Sequence, residues 1–372
     1  MENNGRLRSL DTLRGFDMLF IMGLANLVMS VCALFPEGNS CWLATQMTHV
    51  DWEGLHHHDT IFPLFLFIAG MTFPFSYAKQ VEKGKPQWKI ILKCVCRALM
   101  LAFLGLVVNG FFKFDFAHLR IGSVLGRIGF AWMFAALMYM WLKPSVRAIL
   151  CVAFLVGSYL LIRFIPAPDM PTGTDPLSLQ GNLAGYIDRM FFPMPQSFLY
   201  PGVYEADGIL TTFPAIVTAS LGMFTGAFVR RPDTQISGNR KTGYMLIAAA
   251  ILLGIGLLWN MDYPCNKKMW NSTFVVLTAA YSLFCFAVFY WIIDVKGWKR
   301  WTTFFEIVGM NSITIYMAQC FIGFKNISNF FFHGVADLAG AAWGRIICDF
   351  GYLTVCWLFL YFLYRKKIFI KI

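Results

Sequence analysis

Charge is scarce in this chain. Asp, Glu, Lys and Arg together make up 14% of its 372 residues, against about 25% in ordinary globular domains. So few polar groups cannot cover a water-facing surface, which excludes a soluble globular domain. Metal motifs are also missing: the ten cysteines form no CxxC pattern, Cys94 and Cys96 being only CxC, so most read as small buried hydrophobes. Cys41 and Cys265 fall in exterior links, where they could pair. No repeat or low-complexity segment stands out. The first apolar stretch lacks a small-residue cleavage site and carries Asp11, Arg14 and Asp17, so it is expected to stay as a spanning helix, not a signal peptide.

What the chain has is apolar length. Hydrophobic residues reach 58%, Phe alone occurs 38 times, and the mean hydropathy is +0.59. A bilayer crossing takes roughly 20 consecutive apolar residues. Such runs fall at 13–35, 60–78, 90–112, 124–142, 146–165, 208–229, 243–260, 272–293, 303–323 and 342–364. The expectation is an all-α, polytopic membrane helix bundle of ten spans, forming one transmembrane domain over residues 1–372.

The net charge of +11 does not point to nucleic acid, because the basic residues sit in alternate links. Arg6 and Arg8 precede the first run; Lys79, Lys83, Lys85 and Lys89 follow the second; Lys143 and Arg147 follow the fourth. Arg230, Arg231, Arg240 and Lys241, then Lys296, Lys299 and Arg300, then Arg365, Lys366, Lys367 and Lys371 continue the alternation. By the positive-inside rule these links are cytoplasmic, as are both termini. The exterior loops are then led by 36–59, which holds four of the six histidines, and by the Pro- and Gly-rich 166–207.

Ionisable groups in or near spans need a reason. Asp11 and Arg14, spaced i,i+3, either pair on one helix face or leave Arg14 to meet an anionic ligand. Asn26 is either interhelical glue or part of a site. His49, Asp59 and the run His56-His57-His58 crowd the mouth of the second span, where an imidazole could take a proton from an incoming nucleophile. Three adjacent histidines point about 100° apart on a helix, so no metal site is expected. Arg120 and Arg127 lie seven apart on one face, placed to snorkel or to bind phosphate or carboxylate. Asp207 is either an N-cap or, with Glu205, an acidic group at the mouth. Position along the chain puts His49, Asp59, Arg120, Glu205 and Asp207 toward one membrane face.

These residues also form motifs. His49-x-x-Trp52-x-Gly54-Leu55, then Asp59-x-Ile-Phe-Pro-x-Phe-Leu-Phe-Ile-x-Gly70, resembles the heparan-α-glucosaminide N-acetyltransferase family and its bacterial transmembrane relatives. Arg8-Ser-Leu-Asp-Thr-Leu-Arg-Gly15, Arg120-Ile-x-x-Val-Leu-x-Arg127, Asp207-Gly-Ile-Leu-x-Thr-x-Pro-Ala-Ile216, Pro264-x-Asn-Lys-x-x-Trp270 and Val308-Gly-x-Asn-Ser312 are similar, in the same order. The chain departs from the pattern at Glu53, Gly122-Ser123 and Gly126, and its triple histidine is not a family feature.

The resemblance implies transfer of acetyl from cytosolic acetyl-CoA, a co-substrate and not a resident cofactor, to the amine of a glucosamine or glycan end on the exterior side. It carries the catalytic histidine to His49, the first-span asparagine to Asn26 and the acid of the second span to Asp59. His49 would deprotonate the amine, oriented by Asp59, while Asn26 supports the thioester oxygen; an acetyl-imidazole on His49 is the alternative route. Arg14, Arg120 and Arg127 are candidates for the coenzyme phosphates, and Trp52, Glu205 and Asp207 for the acceptor. The lysosomal members' N-terminal domain has no counterpart in this sequence, so a bacterial cytoplasmic (inner) membrane is expected, with a homodimer allowed. A membrane O-acyltransferase of envelope glycans and a solute transporter are the competing classes.

Overall fold

The computed structural model describes residues 7–38, 41–192, 200 and 202–370. Arg6, Lys371 and part of the expected loop 166–207 lie outside the described residues. The fold is all-helical, and among the described residues there is no β-strand, only the isolated bridges Pro166–Asn182 and Tyr200–Tyr204. It is a multi-pass helical membrane protein: among the described residues, nine helices are long and apolar enough to cross a bilayer.

The chain divides into two compact units, one drawn from residues 1–50, 56–61 and 284–371, the other from 51–55 and 62–283. The first unit opens with α1 (Arg8–Leu19), a π-helical turn over Phe20–Leu24 and α2 (Ala25–Cys32), which together make the first spanning segment. Gly23 has φ +132°, a conformation that side chains rarely adopt, so the wide turn forms where the sequence supplies glycine. A short α3 (Trp42–Gln46) follows, and α4 (His57–Glu82) begins in this unit. The unit is completed by α12 (Thr302–Met310), α13 (Ser312–Phe321), α14 (Phe324–Leu338) and α15 (Gly340–Arg365). Its core gathers Met18, Met22, Val308, Ile315, Cys356 and Leu360.

One expected span is corrected here. The run at 303–323 is not one helix but α12 and α13, interrupted at Asn311. Asn311 is buried; its amide donates to the Ile368 carbonyl (3.0 Å), and its Oδ1 accepts the Ile370 N–H (3.4 Å). The C-terminal chain thus supplies hydrogen bonds to the asparagine at the break, which an apolar setting demands. The following link forms the helix α14, paired with α15.

The second unit contains most of α4, then α5 (Gln87–Val108), α6 (Val124–Trp141), α7 (Pro144–Phe164), α8 (Leu183–Phe191), α9 (Thr212–Val229), α10 (Gly238–Asn260) and most of α11 (Ser272–Tyr290). Helices α4 and α9 touch backbone to backbone. A Cβ at Gly70 would sit 2.1 Å from the Ala219 carbonyl oxygen, and one at Gly222 would sit 2.1 Å from that of Phe67. Small residues permit this approach, which favours helix association where lipid offers no hydrophobic drive.

Candidate functional site

The first unit assembles the expected histidine and acid. His56 precedes α4, and Asp59, three residues on, turns its carboxylate back onto the His56 N–H (3.2 Å), the return half of a capping box. The same carboxylate accepts the Val50 N–H (3.3 Å) and His49 Nδ1 (2.7 Å). Asp59 is fully buried, whereas the His49 side chain is 53% exposed. A carboxylate only accepts, so Nδ1 carries a proton, and in the neutral ring Nε2 carries the lone pair. The sequence places an acid at N3 to satisfy a helix end, and the loop before it delivers an imidazole to the same acid.

The three consecutive histidines go three ways. His56 Nδ1 meets the Thr48 carbonyl (3.1 Å), the His57 ring packs on Phe20 (centroids 4.6 Å), and the His58 ring lies 4.6 Å from that of His49. His57 N–H donates to Gln46 Oε1 (2.8 Å), tying α3 to the start of α4. Arg14 approaches Asp11 at 3.7 Å, the i,i+3 pairing the spacing allows. Asn26 is exposed on α2, and no hydrogen bond joins it to His49 or Asp59 among the described residues.

The second unit holds a separate charged constellation. Arg120 Nε donates to both Glu205 oxygens (3.0 and 3.2 Å) and its Nη2 to Glu205 Oε1 and Asp207 Oδ2, the latter at 3.2 Å. Arg127 Nε lies 3.4 Å from Asp207 Oδ1, and its Nη2 donates to the Ala206 carbonyl and Thr211 Oγ1. The Arg127 guanidinium also stands over the Trp270 ring at 5.2 Å. All four charged groups are largely buried. The expected shared helical face is corrected here: Arg120 lies in the non-helical link before α6 and Arg127 in its first turn, and although both bind carboxylates, the carboxylates are the chain's own. Their charge is spent on anchoring the segment before α9, which argues against a phosphate-gripping role. Trp52 is likewise built into the loops: its indole N–H donates to the Leu177 carbonyl (2.8 Å), and its edge meets Tyr200 and Tyr204.

Asp188 was not singled out from sequence. It lies on α8, fully buried, with Oδ1 accepting the Ile209 N–H (2.9 Å) and Oδ2 unpartnered among the described residues. Burial pushes its carboxyl up to about 7, against the opposing effects of the Ile209 N–H and the Arg127 charge. The only advance signal is an acid in an amphipathic segment of a Pro- and Gly-rich loop, which is too common to act on.

A family model described as a domain of unknown function (DUF5009) matches residues 6–116. The human protein named heparan-alpha-glucosaminide N-acetyltransferase is 28% identical over 99% of this chain, and its mouse counterpart is 27% identical over 99%. The chain is related to the heparan-alpha-glucosaminide N-acetyltransferases. It spans about 60% of the length of each of those two relatives. Residues 49 to 59, with both members of the imidazole–carboxylate pair, lie inside the matched family segment.

Proposed function

We propose that the chain is a membrane-embedded N-acetyltransferase that moves acetyl from acetyl-CoA to the amine of a glucosamine or of a glucosamine-ended glycan. The observation that carries this reading is the His49–Asp59 pair: an exposed imidazole whose tautomer is held by a buried carboxylate. The names of the relatives support the reaction class.

The chemistry asks little more of the protein. An amine attacks only when neutral, and His49 Nε2 is the base that takes its proton as the nitrogen adds to the thioester carbonyl. The carbon–sulfur bond then breaks, the coenzyme leaves as thiolate, and the imidazolium returns the proton to sulfur. Asp59 never changes protonation; it holds the ring and stabilises the imidazolium, as a third group does in a catalytic triad. Asn26 remains the proposed donor to the thioester oxygen, reached in the substrate complex. Arg14 is the proposed partner of the coenzyme phosphates, because it lies toward the N-terminal, cytosolic end of the first span, where the coenzyme arrives. With the N-terminus inside, in a bacterial inner membrane, His49 faces the exterior and the acetyl group crosses the bundle to reach it.

The test is transfer itself. Purified protein, labelled acetyl-CoA and glucosamine should give labelled N-acetylglucosamine, with a hydroxyl-only sugar as the control acceptor. His49→Ala should abolish transfer; label persisting in the product of that variant would sink the mechanism. One observation favours a second reading: the first span turns through a π segment at Gly23, and 302–321 is broken at Asn311. Discontinuous helices are a transporter device. Uptake of glucosamine into vesicles without acetylation would establish that class instead.

A further inference from the structure

The segment that carries His49 is built around two cysteines. Cys32 ends α2, and the chain folds straight back over it: Phe35 N–H donates to the Cys32 carbonyl (3.0 Å), Gly38 N–H to the Phe35 carbonyl (2.9 Å) and Cys41 N–H to the Gly38 carbonyl (3.4 Å). The reversal is tight enough that a Cβ at Gly38 would lie 1.7 Å from the Cys32 oxygen. It brings the thiols of Cys32 and Cys41 into hydrogen-bonding contact. Cys41 is also the N-cap of α3, its sulfur accepting the Ala44 N–H at 3.4 Å. Of the pair, Cys32 is buried and Cys41 half-buried, so one sulfur is reachable and the other waits behind it.

We propose that Cys32 and Cys41 form a disulfide in the mature protein, closing the turn between the first span and the loop that presents His49. Sequence position allowed Cys41 to pair with Cys265; the contact with Cys32 favours Cys32 instead. A short, locally folded pair is favoured because the two thiols are already in contact across the turn. The oxidant is a disulfide of an exterior thiol–disulfide oxidoreductase, consistent with the exterior placement of residues 36–59. The Cys41 thiolate attacks that disulfide, forming a mixed disulfide and releasing one thiolate of the oxidant. Cys32, giving up its proton, attacks the Cys41 sulfur, forms the internal bond and releases the second thiolate. Two thiols are oxidised, and one disulfide of the partner is reduced to a dithiol. The Ala44 N–H, which lowers the Cys41 thiol from its ordinary value, raises its thiolate fraction and suits it to attack first.

The step goes beyond the acetyltransferase reading and stands or falls separately from it. Membranes are quenched with an alkylating agent, denatured without reductant, and the peptides bearing Cys32 and Cys41 are examined by mass spectrometry. The expected result is a pair lighter by two hydrogens, unmodified by alkylation until a reductant is added, with Cys32 becoming alkylatable in Cys41→Ser. Full alkylation of both cysteines in the native chain, or linkage of Cys41 to Cys265 or any other cysteine, would overturn the proposal. Glucosamine acetylation measured in the same membranes reports on the enzyme reading independently.

Discussion

His49 and Asp59 share a 2.7 Å hydrogen bond across an abrupt change of environment, the imidazole half-exposed and the carboxylate fully buried. The acid therefore answers to the fold as well as to the ring. It accepts the N–H groups of Val50 and His56, so one carboxylate caps α4, closes the loop and selects the histidine tautomer.

Asp59→Asn tests the tautomer. The amide keeps the size but offers a donor where His49 Nδ1–H needs an acceptor. Acetyl transfer should fall by about 10²–10⁴-fold in kcat with KM nearly unchanged, measured by initial rates with labelled acetyl-CoA. A loss confined to KM would assign Asp59 to binding instead.

Arg120 and Glu205 should behave as a buried pair. Truncating one to alanine strands the other charge, which costs about 3–5 kcal/mol where burial is complete. The Glu205 side chain is 3% exposed and that of Arg120 15%. Arg120→Ala and Glu205→Ala should each lower the unfolding midpoint in detergent, and the double variant should lose less than the sum of the two. Additive losses would mean that the pair is not coupled.

The buried Asp188 predicts a pH dependence. Its folded pKa, about 7, lies above the ordinary 3.8. The folded state therefore holds the proton more tightly, and this carboxyl favours folding fully below about pH 3.8, an advantage lost as pH rises through 7. Three units at 1.36 kcal/mol each bound the effect at about 4 kcal/mol. Thermal melts of wild type minus Asp188→Asn should show the wild type gaining stability from pH 7.5 to 5. A flat difference curve would refute the shift.

Gly23→Ala puts a side chain at φ +132°, with its Cβ 3.1 Å from the Tyr352 ring. The cost should be about 1–3 kcal/mol, read as a lowered melting midpoint. An unchanged midpoint would show that the π turn relaxes to a regular helix.

Hydropathy alone located the nine long apolar helices of the described residues, because a bilayer demands unbroken apolar length and little else in the chain could meet that demand. His49 and Asp59 were legible too, since an acid three residues into a helix and an imidazole ten residues earlier belong to one short segment. Asn311 was not. Its apolar surroundings read as a continuous helix until the C-terminal strand of chain at Ile368 and Ile370 arrives to bond it, a partner nearly 60 positions away. The same holds for Arg120, whose spacing with Arg127 allowed an external anion until the fold brought Glu205 from 85 positions along. Sequence by itself determined what had to be buried in lipid and which local groups could meet within a turn or a loop. Only tertiary structure decided which distant polar groups satisfy one another, because in an apolar medium each must find a partner and the chain offers several.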